Sequence, residues 1–255
     1  MKLLRQIWYV AQSTLVRRYA AARLGLLWAI LQPALVFGVF WFVSVYGLRM
    51  GGGDGPPYYA VLFCGLLPWM TLSGIVSESA GVLRAQRHLL NARVLPSQAL
   101  PAAVALEQAV VQTFLLAIVA VIFVVNGIGP FAAWVTLIYW GICLIALGLA
   151  TGLVVSILAA GSEDATQTVS VMLLIWFWGS PIVWRSDTMS PEHLVWLRLN
   201  PFYYIAEGYR STLLYGHFGP SIASTVLFWI EVLVLALLGV FLHRWGQSRI
   251  REWIQ

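Results

Sequence analysis

The sequence predicts an all-α, polytopic membrane protein, and three observations lead to that fold class. Hydrophobic residues make up 60% of the 255-residue chain. Charged residues make up only 10%, whereas they are about a quarter of a typical soluble domain. Long apolar runs recur along the chain, and a helix needs about 20 apolar residues to cross the hydrocarbon core. A soluble fold of this size could not bury so much apolar surface, so we expect a single membrane domain over residues 1–255.

Six apolar runs predict six transmembrane helices. They cover residues 26–48, 59–82 and 101–125, a fourth run from the NGIGP turn to Ala160, a fifth over 166–184 and a sixth over 221–242. Glycine and proline inside these runs are acceptable because neighbouring helices satisfy the freed backbone groups. An even number of spans places both termini on the same side of the membrane.

The distribution of lysine and arginine predicts that this side is cytoplasmic. The termini and the 83–100 loop carry 11 of the 15 cations: Lys2, Arg5, Arg17, Arg18, Arg23, Arg84, Arg87, Arg93, Arg244, Arg249 and Arg251. The opposite side carries the remaining 4, which are Arg49, Arg185, Arg198 and Arg210. Cytoplasmic loops are enriched in Lys and Arg, so we expect the inner (plasma) membrane with both termini inside. The same pattern explains the net positive charge without a nucleic-acid partner.

The N-terminal residues 1–24 are predicted to form an amphipathic helix on the inner membrane surface. Its apolar positions follow i, i+3, i+4 spacing: Leu3, Leu4, Ile7, Trp8, Ala11 and Leu15. Cationic residues flank this stripe, as is typical of helices that lie in the interface among membrane lipids. The alternative is an irregular start to the first span.

The cytoplasmic loop over residues 83–95 is predicted to form a short helix with one polar face. Arg84, Arg87, His88 and Asn91 recur at helical spacing, and Pro96 ends the helix. Leu83, Leu90 and Val94 lie on its other side. This face is either exposed to solvent or a surface to which a cytoplasmic partner binds.

Residues 186–216 are too apolar for a free loop and too charged to cross the membrane. Ser190 with Pro191, and Asn200 with Pro201, predict two helix starts, and Gly216 predicts a stop. Glu207 and Arg210 are spaced to pair within the second helix. Two helices that dip into the outer leaflet fit this pattern. Such re-entrant elements imply a pathway beside them.

No catalytic chemistry is evident in the sequence. A P-loop needs a lysine after its glycine-rich turn, and the only lysine is Lys2. The four histidines, His88, His193, His217 and His243, lack metal-ligand spacing. Cys64 and Cys143 fall inside apolar stretches, which favours buried thiols. We therefore expect a protein that is not an enzyme and binds no cofactor or metal itself.

Two further features bear on transport. Glu78, Glu107 and Glu231 are candidate buried carboxylates, which would mark an ion-coupled transporter. For Glu231, midway along the sixth span, a structural pair is favoured over a proton relay. The aromatic run over residues 175–184 includes Trp176, Trp178 and Trp184. These rings either line a pathway for sugar rings or belong to an interfacial belt.

Four motifs in order along the chain resemble those of a known family. They are RRYAAARLGLLWAILQPAL, FCGLLPWMTLS, LLNARVLPSQALP, and SPIVW followed by LNPFYYIAEGYRSTLLYG. They resemble the membrane subunit of ABC exporters that move cell-surface polysaccharides, namely the O-antigen, capsule and teichoic acid permeases. The 83–100 loop lacks the lysines that relatives often have, and arginine supplies its charge.

The resemblance implies a homodimer of six-span subunits above two separate cytoplasmic ATPase subunits, which hold ATP and Mg²⁺, and a lipid-linked polysaccharide as cargo. The loop with Arg84, Arg87, His88 and Asn91 resembles the coupling helix, and Glu163 and Asp164 resemble a further ATPase contact. The helices over 191–199 and 201–215 resemble outer gate helices, with Asn200, Pro201, Tyr203, Tyr204, Glu207, Tyr209 and Arg210 as gate residues. Teichoic acid or a small lipophilic drug as cargo, an ion-coupled carrier and a membrane-embedded enzyme remain alternatives.

Overall fold

The computed structural model describes residues 2–20, 23–47, 49, 56–92, 94–129, 131–184 and 189–246. These residues form helices and contain no β-strand, which confirms the all-α class. The helices are α1 (Lys2–Ala20), α2 (Trp28–Phe42), α3 (Tyr58–Ala85), α4 (Arg87–Asn91), α5 (Ala99–Val125), α6 (Leu137–Leu158), α7 (Glu163–Trp178), α8 (Pro191–Arg198), α9 (Pro201–Arg210) and α10 (Ile222–Gly246). Short 3-10 turns precede α2 and α6, and π-helical turns extend α2 to Gly47 and α9 to Tyr215.

Five of the six predicted spans are helices long and apolar enough to cross a membrane. The predicted fifth span is α7, which has 16 residues. At 1.5 Å per residue it is about 24 Å long, shorter than the roughly 30 Å hydrocarbon core. Residues 179–184 form bends instead of continuing the helix. Pro181 explains the early end because it cannot donate to the helical ladder and disfavours helical geometry at the residue before it.

Helix α3 is the centre of the bundle and contacts α5, α6, α7 and α9. Its contact with α6 is close because α6 presents two glycines there. A Cβ at Gly148 would lie 2.5 Å from the side chain of Ile75, and one at Gly152 would lie 2.7 Å from the Ser79 hydroxyl. Small residues that let helix backbones approach are the usual means of packing helices in membranes.

Helix α10 packs closely on α6 in the same way. A Cβ at Gly239 would lie only 2.6 Å from the Cβ of Leu153. Helix α9 lies among α3, α6 and α10. At its centre a Cβ on Gly208 would overlap the ring of Trp140, which is fully buried. The short helix α9 is thus built into the protein core.

Helix α1 is confirmed as a helix, and its apolar residues divide between two surroundings. Ala11 is buried, and Ile7 and Val10 pack against the buried cluster at the end of α3. Leu4 and Trp8 are exposed. The side chains of Lys2, Leu3, Leu15, Arg17 and Arg18 lie outside the described part of the structure. The position of α1 in the membrane interface stays a prediction.

Candidate functional site

The predicted helix over residues 83–95 is divided in the structure. Helix α3 continues through Arg84 to Ala85, Gln86 breaks the helical path at φ −109° and ψ 26°, and α4 covers only Arg87–Asn91. The break lets Leu90 and Leu95 turn inward to pack with Leu83. Burial of these leucines therefore decides the geometry, and the prediction of one polar face holding all four residues is wrong. Arg93 lies outside the described residues.

Arg84 turns away from α4 toward α7. Its guanidinium donates a hydrogen bond to the hydroxyl of Thr166, which lies in the first turn of α7 with Glu163 and Asp164. The hydroxyl of Ser162 caps this helix by accepting from the amide of Asp164 at 3.1 Å. The two groups predicted to meet a partner, α4 and the α6–α7 turn, therefore lie at the same end of the molecule.

The surface at this end is polar and accessible. Arg87, His88 and Asn91 of α4 are exposed, and so are Glu163 and Asp164. The carboxylates sit at the N-terminus of α7, where the helix dipole favours negative charge. The end thus offers basic and acidic groups side by side, and ATPase docking here stays a prediction.

His243, to which the sequence assigned no role, is buried behind this surface. Its Nε2 lies 3.1 Å from the Leu153 carbonyl oxygen and 3.1 Å from the Ser156 hydroxyl. Because a carbonyl can only accept, Nε2 carries the proton. Nδ1 lies 2.8 Å from the Ser97 hydroxyl and accepts a hydrogen bond from it.

These bonds tie three elements together. Ser97 lies in the segment between α4 and α5, whereas Leu153 and Ser156 belong to α6 and His243 to α10. The sequence shows only a histidine near the end of an apolar run, because its partners are 87 to 146 residues away in the chain. His243 is thus a structural link between the α4 end of the molecule and the α6–α10 pair.

At the end of the molecule opposite α4, Asn200 joins α7 to α9. Its Oδ1 accepts from the backbone amide of Phe202 at 3.0 Å, which confirms the predicted helix cap. The same oxygen accepts from Nε1 of Trp176 at 2.8 Å, and Nδ2 donates to the Ser180 hydroxyl at 2.8 Å. Ser190 stands before α8 as predicted, but its hydroxyl contacts Nδ1 of His193 at 2.7 Å and caps no backbone amide.

Arg210 is buried and holds the bends that end α7. Its guanidinium donates to the carbonyl oxygens of Pro181 and Ile182, the latter at 3.2 Å. Gly65 of α3 makes room for this segment, because a Cβ there would lie 2.8 Å from the Ile182 oxygen. Arg210 therefore supports the outer connection from within the protein. Its pairing with Glu207 stays a prediction.

The other predicted gate residues divide into a buried and an accessible group. Tyr204 is buried and its hydroxyl contacts those of Tyr139 and Thr225 at 2.8 and 3.0 Å. Tyr209 accepts from Gln112 at 3.2 Å, and burial raises the pKa of its phenol. Tyr203 and Glu207 are partly exposed, as is Pro201. This second group is the more accessible of the two.

The three tryptophans of the aromatic run also differ. Trp176 is half-buried and packs edge-on against Trp69, with ring centroids 5.7 Å apart. Trp178 is 58% exposed, and its carbonyl accepts from Nε1 of Trp184 at 3.3 Å. Beside them, an apolar cleft of about 370 Å³ opens between α2, α3 and α7. A pathway-lining role stays a prediction and suits Trp178 best.

The three candidate carboxylates have different surroundings. Glu78 of α3 accepts from Gln108 of α5 at 2.6 Å, and Glu107 is buried. Glu231 of α10 is half-buried and lines a polar cleft of about 340 Å³ against α9. Within the described residues no three His, Cys, Asp or Glu side chains come together as a metal site.

The described residues form five helices long and apolar enough to cross a membrane, with an exposed polar surface at one end and the buried helix α9 at the other. These features fit the membrane-spanning part of a transporter. The family described as ABC-2 type transporter matches residues 5–214, and the chain belongs to this family. This confirms the resemblance to ABC transporter permeases.

Curated relatives match along nearly the whole chain. The O-antigen export system permease protein RfbA of Klebsiella pneumoniae is 25% identical over 238 residues, which cover 91% of this chain and 89% of that protein. RfbA of Myxococcus xanthus is 26% identical over 247 residues, covering 95% and 90%. The polysialic acid transport protein KpsM of Escherichia coli is 22% identical over 232 residues, covering 89% and 88%.

Proposed function

We propose that this chain is the transmembrane subunit of an ATP-driven exporter for a lipid-linked cell-surface polysaccharide of the O-antigen or capsule type. As a homodimer with two ATPase subunits, it forms the channel across the inner membrane. The observation that carries this proposal is the similarity, over at least 88% of their length, to permeases named for O-antigen and polysialic acid transport.

A separate ATPase is required by the proposal because the chain has no P-loop lysine. The exposed residues of α4 and the α6–α7 turn supply a compact docking surface for it. On this basis the α4 end is cytoplasmic, in agreement with the positive-inside pattern. ATP and Mg²⁺ are held by the partner.

The exposed face of α7 supports a channel between two copies. It carries Gln167, Thr168 and Ser170 as well as apolar residues, whereas the exposed face of α10 is apolar from Ile222 to Phe241. Polar side chains at membrane depth face another helix or water rather than lipid. We infer that α7 faces the second copy and the pathway, and that α10 faces lipid. The segment after α7, up to Trp184, completes the predicted fifth span.

Co-purification with the candidate ATPase in nanodiscs tests the docking surface. We expect Arg87→Glu to weaken binding of the ATPase and to lower ATP hydrolysis, because the reversed charge lies on the exposed face of α4. Arg49→Glu is the matched control, since Arg49 is exposed and lies on the predicted outer side. A wild-type chain that never binds an ATPase would contradict the proposal.

Surface polysaccharide in cells tests the cargo. Deletion of the gene should abolish display of the polymer, and the wild-type chain should restore it only together with an active ATPase. Unchanged polysaccharide with lost teichoic acid, or with raised drug sensitivity, would favour the alternative cargoes. Export that continues without the ATPase would favour ion coupling through Glu231.

A further inference from the structure

The polar cleft between α9 and α10 has the properties of a binding site. Its volume of about 340 Å³ lies within the usual range of about 300–1,000 Å³ for small-molecule sites. Glu207 of α9 and Glu231 of α10 line it, with Arg198 from the end of α8. With all three groups ionised, the two carboxylates exceed the single guanidinium by one formal negative charge.

Glu231 is the residue that most needs an explanation. It lies nine residues into α10, about 14 Å from the outer end of the helix at 1.5 Å per residue. Within the part of the chain that the structure describes, its carboxylate forms no hydrogen bond or ion pair. An ionisable group at such depth is costly unless it faces a water-filled cavity or a polar partner. The cleft between α9 and α10 provides such a space for Glu231.

The other groups in the cleft offer both apolar surface and hydroxyls. Tyr204 stacks on Phe228 with ring centroids 4.6 Å apart at 21°, which forms a flat apolar wall. The half-buried Tyr203 and the hydroxyl-bearing Ser221 and Ser224 lie on the same cleft. A sugar ring combines the matching features, an apolar C–H face and an edge of hydroxyl donors.

We propose that this cleft is a subsite for an uncharged sugar unit of the exported polymer. Glu231 and Glu207 accept hydrogen bonds from sugar hydroxyls, because an ionised carboxylate has only acceptor sites. The net negative charge disfavours a polyanion, so a neutral repeating unit fits better than a phosphate-linked one. This inference rests on the proposed export function and adds the location and charge preference of one substrate contact.

Site-specific photo-crosslinking tests the inference for a polymer whose sugar units carry vicinal hydroxyl groups. A benzophenone amino acid replaces Ser224 in the cleft, Val226 on the exposed face of α10, or Trp178 on the exposed face of α7. The full complex with a hydrolysis-deficient ATPase is irradiated in cells that make the polymer. Periodate oxidation and hydrazide labelling then reveal covalently attached sugar on the purified chain. We expect label at 224 and none at 226.

The outcomes separate the inference from the function. Label at 178 without label at 224 overturns the cleft assignment and leaves export standing. Equal label at 224 and 226, or adducts with the mass of a phospholipid, shows a lipid contact and also overturns it. No label at any position, in cells whose surface polymer does not depend on this chain, contradicts the export function itself.

A second variant measures the contribution of the carboxylate. Glu231→Gln keeps the shape of the side chain and removes its charge. Since hydrogen bonds to charged groups contribute about 1.5–3 kcal/mol, we expect the sugar unit to bind at least about tenfold more weakly. The readout is surface polymer per assembled transporter at limiting polymer supply. Wild-type export by a normally assembled Glu231→Gln complex would contradict the role of Glu231.

Discussion

At the scale of single residues, similar sequence signals have different structural outcomes. Ser190 and Asn200 both precede a proline that begins a helix, and the sequence predicts the same capping role for each. Only Asn200 bonds to a backbone amide, and it also contacts the ring nitrogen of Trp176 and the hydroxyl of Ser180. The difference comes from neighbours that the fold brings near Asn200, since Ser190 lies on the exposed α8.

The first prediction concerns these two caps. Asn200→Ala removes the cap and leaves the indole N–H of Trp176 without its acceptor, so we expect a loss of about 1–2 kcal/mol in stability. Ser190→Ala should lower the stability by only a few tenths of a kcal/mol, because the Ser190 hydroxyl caps no backbone amide. Size-exclusion chromatography of detergent extracts after heating reports the apparent Tm. Equal shifts for both variants would contradict the network around Asn200.

The second prediction concerns the close approach of α9 and α6. Gly208→Ala places a methyl group against the buried Trp140 ring, and overpacking of this kind costs about 1–3 kcal/mol. Gly141→Ala is the control on α6, because nothing lies within 4 Å of its Cβ position. We expect a lower apparent Tm for Gly208→Ala and no loss for Gly141→Ala. A neutral Gly208→Ala would mean that α9 can move away from Trp140 at little cost.

At the scale of elements, the α4 end of the molecule is held by contacts from distant parts of the chain. Helix α4 has only five residues, too few for a stable isolated helix. Its position depends on the burial of Leu90 and Leu95 and on the bond from Ser97 to His243. A displacement of α4 by a partner would therefore reach α6 and α10 through this link.

The third prediction tests that link. His243→Ala removes the acceptor of Ser97 and opens a cavity beside Leu153 and Ser156, so the segment before α5 should loosen. We expect faster amide hydrogen exchange over residues 94–100, measured by mass spectrometry, with a stability loss of about 1–3 kcal/mol. His217→Ala is the control because His217 is exposed. Unchanged exchange at 94–100 would show that His243 does not hold the segment.

At the scale of the whole molecule, the distribution of polar residues on the outer faces predicts how copies associate. The fourth prediction uses cysteines at Thr168 on α7 and at Leu237 on α10, both exposed. A short bifunctional maleimide should link two copies through position 168 and leave the variant at position 237 monomeric, because the proposed arrangement has α10 facing lipid. The wild-type chain is the blank, because Cys64 and Cys143 are buried. Dimers through 237 alone would reverse the assignment of the two faces.

Composition and local sequence signals were enough to predict the class, five helices long and apolar enough to cross a membrane, the short helices α8 and α9, and the family. These features depend on apolar run length and on signals such as Asn200–Pro201, which act over a few residues. Tertiary contacts account for the rest. The buried Arg210 holds the bends that follow α7, the burial of Leu90 and Leu95 divides the predicted coupling helix, and His243 finds its partners on other elements. Glu231 meets Glu207 across a cleft only because α9 packs on α10. Such contacts join residues far apart in the chain, and the side-chain period along one helix carries no information about them.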